Sequence, residues 1–353
     1  MHKATLLEAT LHFAIQPEGP ILIKAGESGA DPTRPNMEFV RTKRNGAEQI
    51  YLPGASLKGV VRSHCERICR SLDGESRRQK AREHAHSDDK GFVPPLADNP
   101  MGDKTNPEDD VTFSSNAYFN DLAKERQNYT DEEKERYTAL VYRRSSFTSQ
   151  LFGHTSLASR IRFADAYVKD GKNPEIETRN GVAIDRIYGS TIPGALFEYE
   201  VAVSGAFATR IDFKNITLAQ LALVGLALRD LNEGRVAIGF GKSRGLGRVS
   251  LELTSLTIRY PVCMLQNGVL SLMQNKAKVV SETDHFAGVG ALTQATGGFD
   301  DYRFTKDDTA ILPAGVALQE DEFMGVSFTA SEQEQIYAIW RACMPCWREV
   351  VDL

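Results

Sequence analysis

The chain of 353 residues is 41% hydrophobic and 25% charged, enough apolar material for a substantial core in one elaborated domain or in two or three. No apolar run approaches the roughly 20 residues that span a bilayer, the first twenty residues do not read as a secretory signal, and five cysteines make no disulfide framework, so no membrane association and a reducing, cytoplasmic setting are expected. A net charge of -5 argues against a nucleic-acid partner only if the charge is evenly spread, and here the basic residues cluster beside glycines and turns, around residues 34–44, 58–70, 143–162 and 235–248.

In chain order, residues 4–24 alternate and then run apolar, which predicts a strand interrupted near Pro17 to Pro20. Residues 25–47 read as a loop around one short strand at 38–42. A helix is predicted next, with Ser56 or Ala55 near its N-cap and Val60, Val61, Cys65 and Ile68 forming a stripe. Residues 72–142 turn polar and read as an insertion, closed by a helix from about Asp131 to Tyr142. Residues 161–166 predict a strand, 178–196 a polar hairpin, 196–204 a further strand and 216–231 a helix. A glycine loop at 239–247 leads to a strand over 248–253. This order is that of an α+β, RRM-like (ferredoxin-like) split βαβ core, built from residues 1–71 and 143–263 with large insertions. Residues 264–353 form a C-terminal extension of mixed character, with a helix from Ser331.

Two glycine-flanked basic segments carry the chemistry. In Pro53-Gly54-Ala55-Ser56-Leu57-Lys58-Gly59-Val60-Val61-Arg62, a helix start exposes free amides and its positive dipole end. Ser56, Lys58 and Arg62 can then reach a phosphodiester backbone, although a capped surface helix with solvated cations has the same sequence. The GxxxxGK[ST] spacing of a P-loop is absent. In Gly239-Phe240-Gly241-Lys242-Ser243-Arg244-Gly245-Leu246-Gly247-Arg248, glycines alternate with cations between a helix and a strand. Glycine lets a sugar–phosphate chain approach closely, while Gly241, Lys242, Ser243, Arg244 and Arg248 supply amides, a hydroxyl and charge.

Together these segments resemble the marks of the RAMP superfamily of CRISPR-associated proteins. Gln150-Leu151-Phe152-Gly153 followed by Leu157-Ala158-Ser159-Arg160-Ile161-Arg162-Phe163-Ala164-Asp165-Ala166 is similar to the family's LFG and SRxxFxDA segments, and Val182 to Gly189 is similar to its IDR hairpin. The four motifs cover residues 5–255, and the likeness is greatest to backbone subunits of type III and type IV effector complexes. The resemblance implies a subunit that stacks head-to-tail with copies of itself along one guide RNA, beside other CRISPR effector subunits. It would present the guide to a target RNA or DNA. The hairpin at 178–196 would act as a thumb, and Arg160 and Arg186 join the RNA-binding candidates.

Type III relatives cut target RNA with a loop aspartate. The matching place here holds Asn36-Met37, so a non-cleaving scaffold is expected. Asp31, upstream in the same loop, is the candidate for a metal-dependent endoribonuclease, which would need a divalent ion. His154 or Tyr188 as the general base of a processing enzyme is a third reading. Asp165 and Asp185 are expected to pair with Arg160 and Arg186. No cofactor is expected otherwise: His64, Cys65 and Cys69, with His84 and His86, suit zinc only if four of them converge, and Ser145 to Ser149 hold no cysteine pair.

Overall fold

The computed structural model describes residues 4–26, 35–83, 92–98, 130–169, 174–274 and 278–352. Strand β1 (Glu8–Pro17) turns Ala9, Leu11, Phe13 and Ile15 inward and leaves Glu8, His12 and Gln16 exposed. Strands β2 (Arg41–Arg44) and β3 (Ala47–Ile50) form a hairpin turned by Asn45 and Gly46, both at positive φ. The single short strand expected over 38–42 misses this hairpin, although Asn-Gly is a sequence signal for a two-residue turn whose twist matches its strands.

Helix α1 (Gly54–Leu72) buries Leu57, Val61, Cys65 and Cys69 along one stripe. Pro53, rather than Ser56 or Ala55, stands at its N-cap. Helices α2 (Glu75–Glu83), α3 (Asp131–Arg144) and α4 (Phe147–Phe152) follow; Thr130 and Glu133 close a capping box on α3. Next come β4 (Ile161–Phe163), β5 (Tyr167–Val168), β6 (Ile176–Ile184), β7 (Thr191–Ala202), β8 (Phe207–Lys214), α5 (Leu218–Asn232) and β9 (Val249–Tyr260). The hairpin's second arm and the strand expected at 196–204 are one strand, β7.

Strand β8 escaped the sequence reading, yet it lies between β1 and β4 with Phe207, Ile211 and Phe213 buried. Its outward Arg210, Asp212 and Lys214 give it a loop-like composition, while its period of two was the available signal. The inner strands run β9–β1–β8–β4, with β1 antiparallel to both neighbours and β4 antiparallel to β8. With α1 joining β1 to β4 and α5 joining β8 to β9, this is the ferredoxin-like order expected from the sequence.

The remaining elements are β10 (Cys263–Gln266), β11 (Val269–Leu272), β12 (His285–Ala287), α6 (Val289–Thr296), β13 (Thr309–Ile311), β14 (Gln319–Glu320), β15 (Val326–Ala330) and α7 (Gln333–Asp352). They build onto the same sheet: β15 pairs with β9, and β14 with β15. Helix α7 lays Trp340 against Gly225 of α5, where a Cβ would stand 2.6 Å from the indole Cγ. Asp308 is buried between two helix starts, accepting from Leu218 N at 2.8 Å and Gly290 N at 2.9 Å. Burial pushes its carboxyl up to about 7 against the pull of those amides.

Candidate nucleic-acid interface

The chain enters α1 through Pro53, and Gly54 is required there because a Cβ would lie 2.3 Å from Phe163 O. The Gly54 amide donates to Asp165 Oδ1 at 2.7 Å. Asp165 therefore caps α1 from across the sheet, instead of pairing with Arg160 as expected. Past that cap, Lys58 Nζ donates to Ser159 Oγ at 2.9 Å. Partial burial, with Arg62 nearby, lowers the Lys58 pKa. Arg62 itself is engaged: its guanidinium donates to Glu66 Oε1 and to the carbonyl of Gly153, both at 2.9 Å. It braces the Leu-Phe-Gly turn against α1, so its reach toward a phosphate is taken up.

The glycine loop crosses the start of the same helix. Gly239 and Gly247 both have positive φ, and Cβ atoms there would stand 2.2 Å from Leu22 O and 2.1 Å from Ile238 O. These glycines let the loop backbone dock on residues 20–22, through Phe240 N to Leu22 O (2.7 Å) and Gly247 N to Pro20 O (2.9 Å). Of the four loop glycines, Gly245 alone faces open space. A single 3-10 turn, Lys242–Arg244, then displays its side chains outward. Burial, and Arg67 of α1 close by, lower the Lys242 pKa. Arg244 holds its guanidinium 4.8 Å from the Phe240 ring centre, and Ser243 is exposed beside it. Arg248 pairs with Glu18 at 2.7 Å in an exposed contact that a phosphate can replace at little cost.

The loop and the helix enclose a cleft of about 340 Å³, lined by Lys24, Ser56, Val60, Phe240 and Lys242 among others. Ser56 and Lys242, 186 residues apart, share this cleft. Lys24 and Arg67 were not singled out from sequence; neither sits in a motif, and only the packing of loop on helix gathers them. Like charges held close together, as at Lys242 and Arg67, favour an anionic partner.

Strands β6 and β7 form the long hairpin beyond the sheet. At its base, Arg41 grips Glu200 with two hydrogen bonds of 2.8 and 2.9 Å, and Phe39 N donates to the same carboxylate at 2.8 Å. At its tip, Asp185 accepts from Ile187 N (2.7 Å) and Tyr188 N (3.0 Å), closing the turn through backbone amides rather than through Arg186. Arg186 is exposed, with Ile187 at 84% and Tyr188 at 82% beside it.

Other candidates lie elsewhere. Arg160 does not face the cleft: it is buried, donates to Asn215 O at 2.6 Å and lies 4.1 Å from the centre of the Tyr142 ring. His154 is a turn residue, its Nε2 2.9 Å from Ser145 Oγ and its Nδ1 accepting from Ser156 N, and burial lowers its pKa. Asp31, His84 and His86 fall outside the described residues. Cys65 and Cys69 are buried with thiol pKa values pushed up by desolvation, and His64 Nε2 meets Asp230 Oδ2 at 2.8 Å. Among the described residues no three His, Cys, Asp or Glu side chains gather to hold a metal ion, and no helix is long and apolar enough to cross a membrane.

A family model for the RAMP superfamily matches residues 15–250, a span that takes in the start of α1, the long hairpin and the glycine loop. No curated protein matches the chain significantly.

Proposed function

The chain belongs to the RAMP superfamily, whose members are CRISPR-associated RNA-binding proteins, and from that premise we propose that it is a backbone subunit holding a guide RNA in a multi-subunit effector complex. The observation that carries this reading is the cleft lined jointly by Ser56 of α1, Lys242 of the glycine loop and Lys24. A single-stranded backbone needs a basic track without sequence readout. Ser56, Lys58, Lys242, Ser243, Arg244 and Arg248 supply hydroxyls and charge for it.

In this reading the β6–β7 hairpin is the thumb. Its base is fixed by Arg41 and Glu200, while its tip offers Arg186, Ile187 and Tyr188 to a neighbouring copy or a displaced base. Repetition of that contact generates a head-to-tail oligomer along the guide, with other effector subunits at its ends and a target RNA or DNA paired to it. A cytoplasmic setting goes with this role.

The test is to purify the protein with its native operon partners, extract the bound nucleic acid and sequence it. Discrete RNAs of uniform length sharing a repeat-derived end are expected. Absence of nucleic acid, or a random sample of cellular RNA, refutes the guide-binding assignment.

A further inference from the structure

Beside the basic cleft lies a second constellation of a different chemical kind. Tyr51, the last residue but two before α1, stacks on Tyr167 of β5 with ring centres 5.8 Å apart and planes 16° from parallel. Arg44, at the end of the β2–β3 hairpin, sets its guanidinium 4.3 Å from the centre of the Tyr167 ring. Residues 44–51 and Tyr167, more than a hundred residues further on, thus form one stack. Both tyrosines are only half-buried and Arg44 is exposed.

We propose that Tyr51, Tyr167 and Arg44 form a nucleobase-stacking platform that receives one unpaired base of the RNA whose backbone lies in the adjacent cleft. This deepens the reading above and rests on it. Flat side chains left in a pile at the surface, ending in a guanidinium plane, match what unstacked bases seek in single-stranded RNA, and sequence-tolerant stacking requires no hydrogen-bond readout. A core role does not account for the stack, because its members sit at the rim, where Arg44 contributes little to burial.

The platform is also tied in place relative to the cleft. The Asp165 carboxylate that caps Gly54 at 2.7 Å receives the Tyr167 hydroxyl on its other oxygen at 3.3 Å. Ser56, on the cleft wall, is two residues from that capped amide. One carboxylate therefore fixes both the helix start that meets phosphate and the ring that meets a base. Lys43, exposed on the same hairpin as Arg44, adds charge at the edge of the stack.

The experiment uses the full chain and two fluorescently labelled single-stranded RNAs of equal length, one with normal bases and one made abasic throughout. Wild type is expected to bind the normal strand more tightly. Tyr167→Ala should weaken that binding about tenfold, in the range set by loss of one base–aromatic stack, and leave the abasic strand unaffected. Tyr167→Phe, which keeps the ring and drops the hydroxyl, should restore the preference, and Arg44→Ala should reduce it. Equal affinities of Tyr167→Ala and wild type for the normal strand overturn the platform while leaving the cleft assignment standing. Equal weakening on both strands also overturns it, because the residue then acts through the backbone track or the fold. If wild type binds neither strand, both the platform and the guide-binding reading fail.

Discussion

The four glycines of the 239–247 loop look interchangeable in sequence, and the structure separates them by what a methyl group would strike. At Gly247 the φ of +94° lies in a region costing a non-glycine residue about 1–3 kcal/mol. A Cβ there would also stand 2.1 Å from Ile238 O. That clash forces apart the backbone that forms the Ile238 N to Gly247 O and Gly247 N to Pro20 O hydrogen bonds, each 2.9 Å, and each such bond contributes about 0.5–1.5 kcal/mol. Gly247→Ala is therefore expected to lose roughly 2–6 kcal/mol, combining backbone strain with the two lost bonds. Gly245 has φ +81° but open space around it, so Gly245→Ala should lose only the strain, about 1–2 kcal/mol. Urea unfolding monitored by fluorescence, with the midpoint shift read at unchanged m, gives both numbers. Equal losses in the two variants would refute the argument that Gly247 serves docking of the loop on residues 20–22.

Lys58→Ala and Arg244→Ala should each weaken RNA binding across sequences and flatten its salt dependence by about one unit of slope, and unchanged slopes in both would remove them from the track. Because burial and neighbouring cations lower the Lys58 and Lys242 pKa values in the free protein, a bound phosphate raises them and binding takes up protons; RNA affinity should fall as pH rises in the alkaline range, measured by fluorescence anisotropy at constant ionic strength. Glu200→Ala leaves the Arg41 guanidinium and Phe39 N without their carboxylate, and should cost about 2–4 kcal/mol and speed proteolysis of the β6–β7 hairpin; intact protease resistance would show that the grip is not what anchors it. Asp308 is held up to about 7 in the fold and near 3.8 when unfolded, so the folded state keeps its proton longer and its contribution to stability declines as pH rises from about 4 to about 7. The stability of wild type relative to Asp308→Asn should therefore fall across that window, and a difference independent of pH would contradict it.

The elements that declared themselves were those with strong local physics. Helix α5 carries an apolar pattern and the Thr217–Gln220 capping box, and β1 alternates cleanly, so both were legible. Strand β8 was not, because its exposed face carries Arg210, Asp212 and Lys214 and only its partners β1 and β4 make the other face a core. The terminal helix expected from Ser331 was legible as α7, but β15 was not, for a related reason: it is a strand because β9 offers it an edge, and only the fold seats Trp340 of α7 against Gly225.

The same division holds for the candidate site. Sequence alone located both glycine-flanked basic segments, since glycine and cations in such density have a local meaning. It also gave their family likeness. What it could not do was sort the cations by partner. Arg62 is bound to Glu66 and Gly153, and Arg160 is buried over Tyr142, whereas Lys242 and Ser56 share a cleft. Those outcomes depend on contacts between segments separated by tens to hundreds of residues. A charge's availability is set by the groups folding places around it, and no spacing along the chain encodes them.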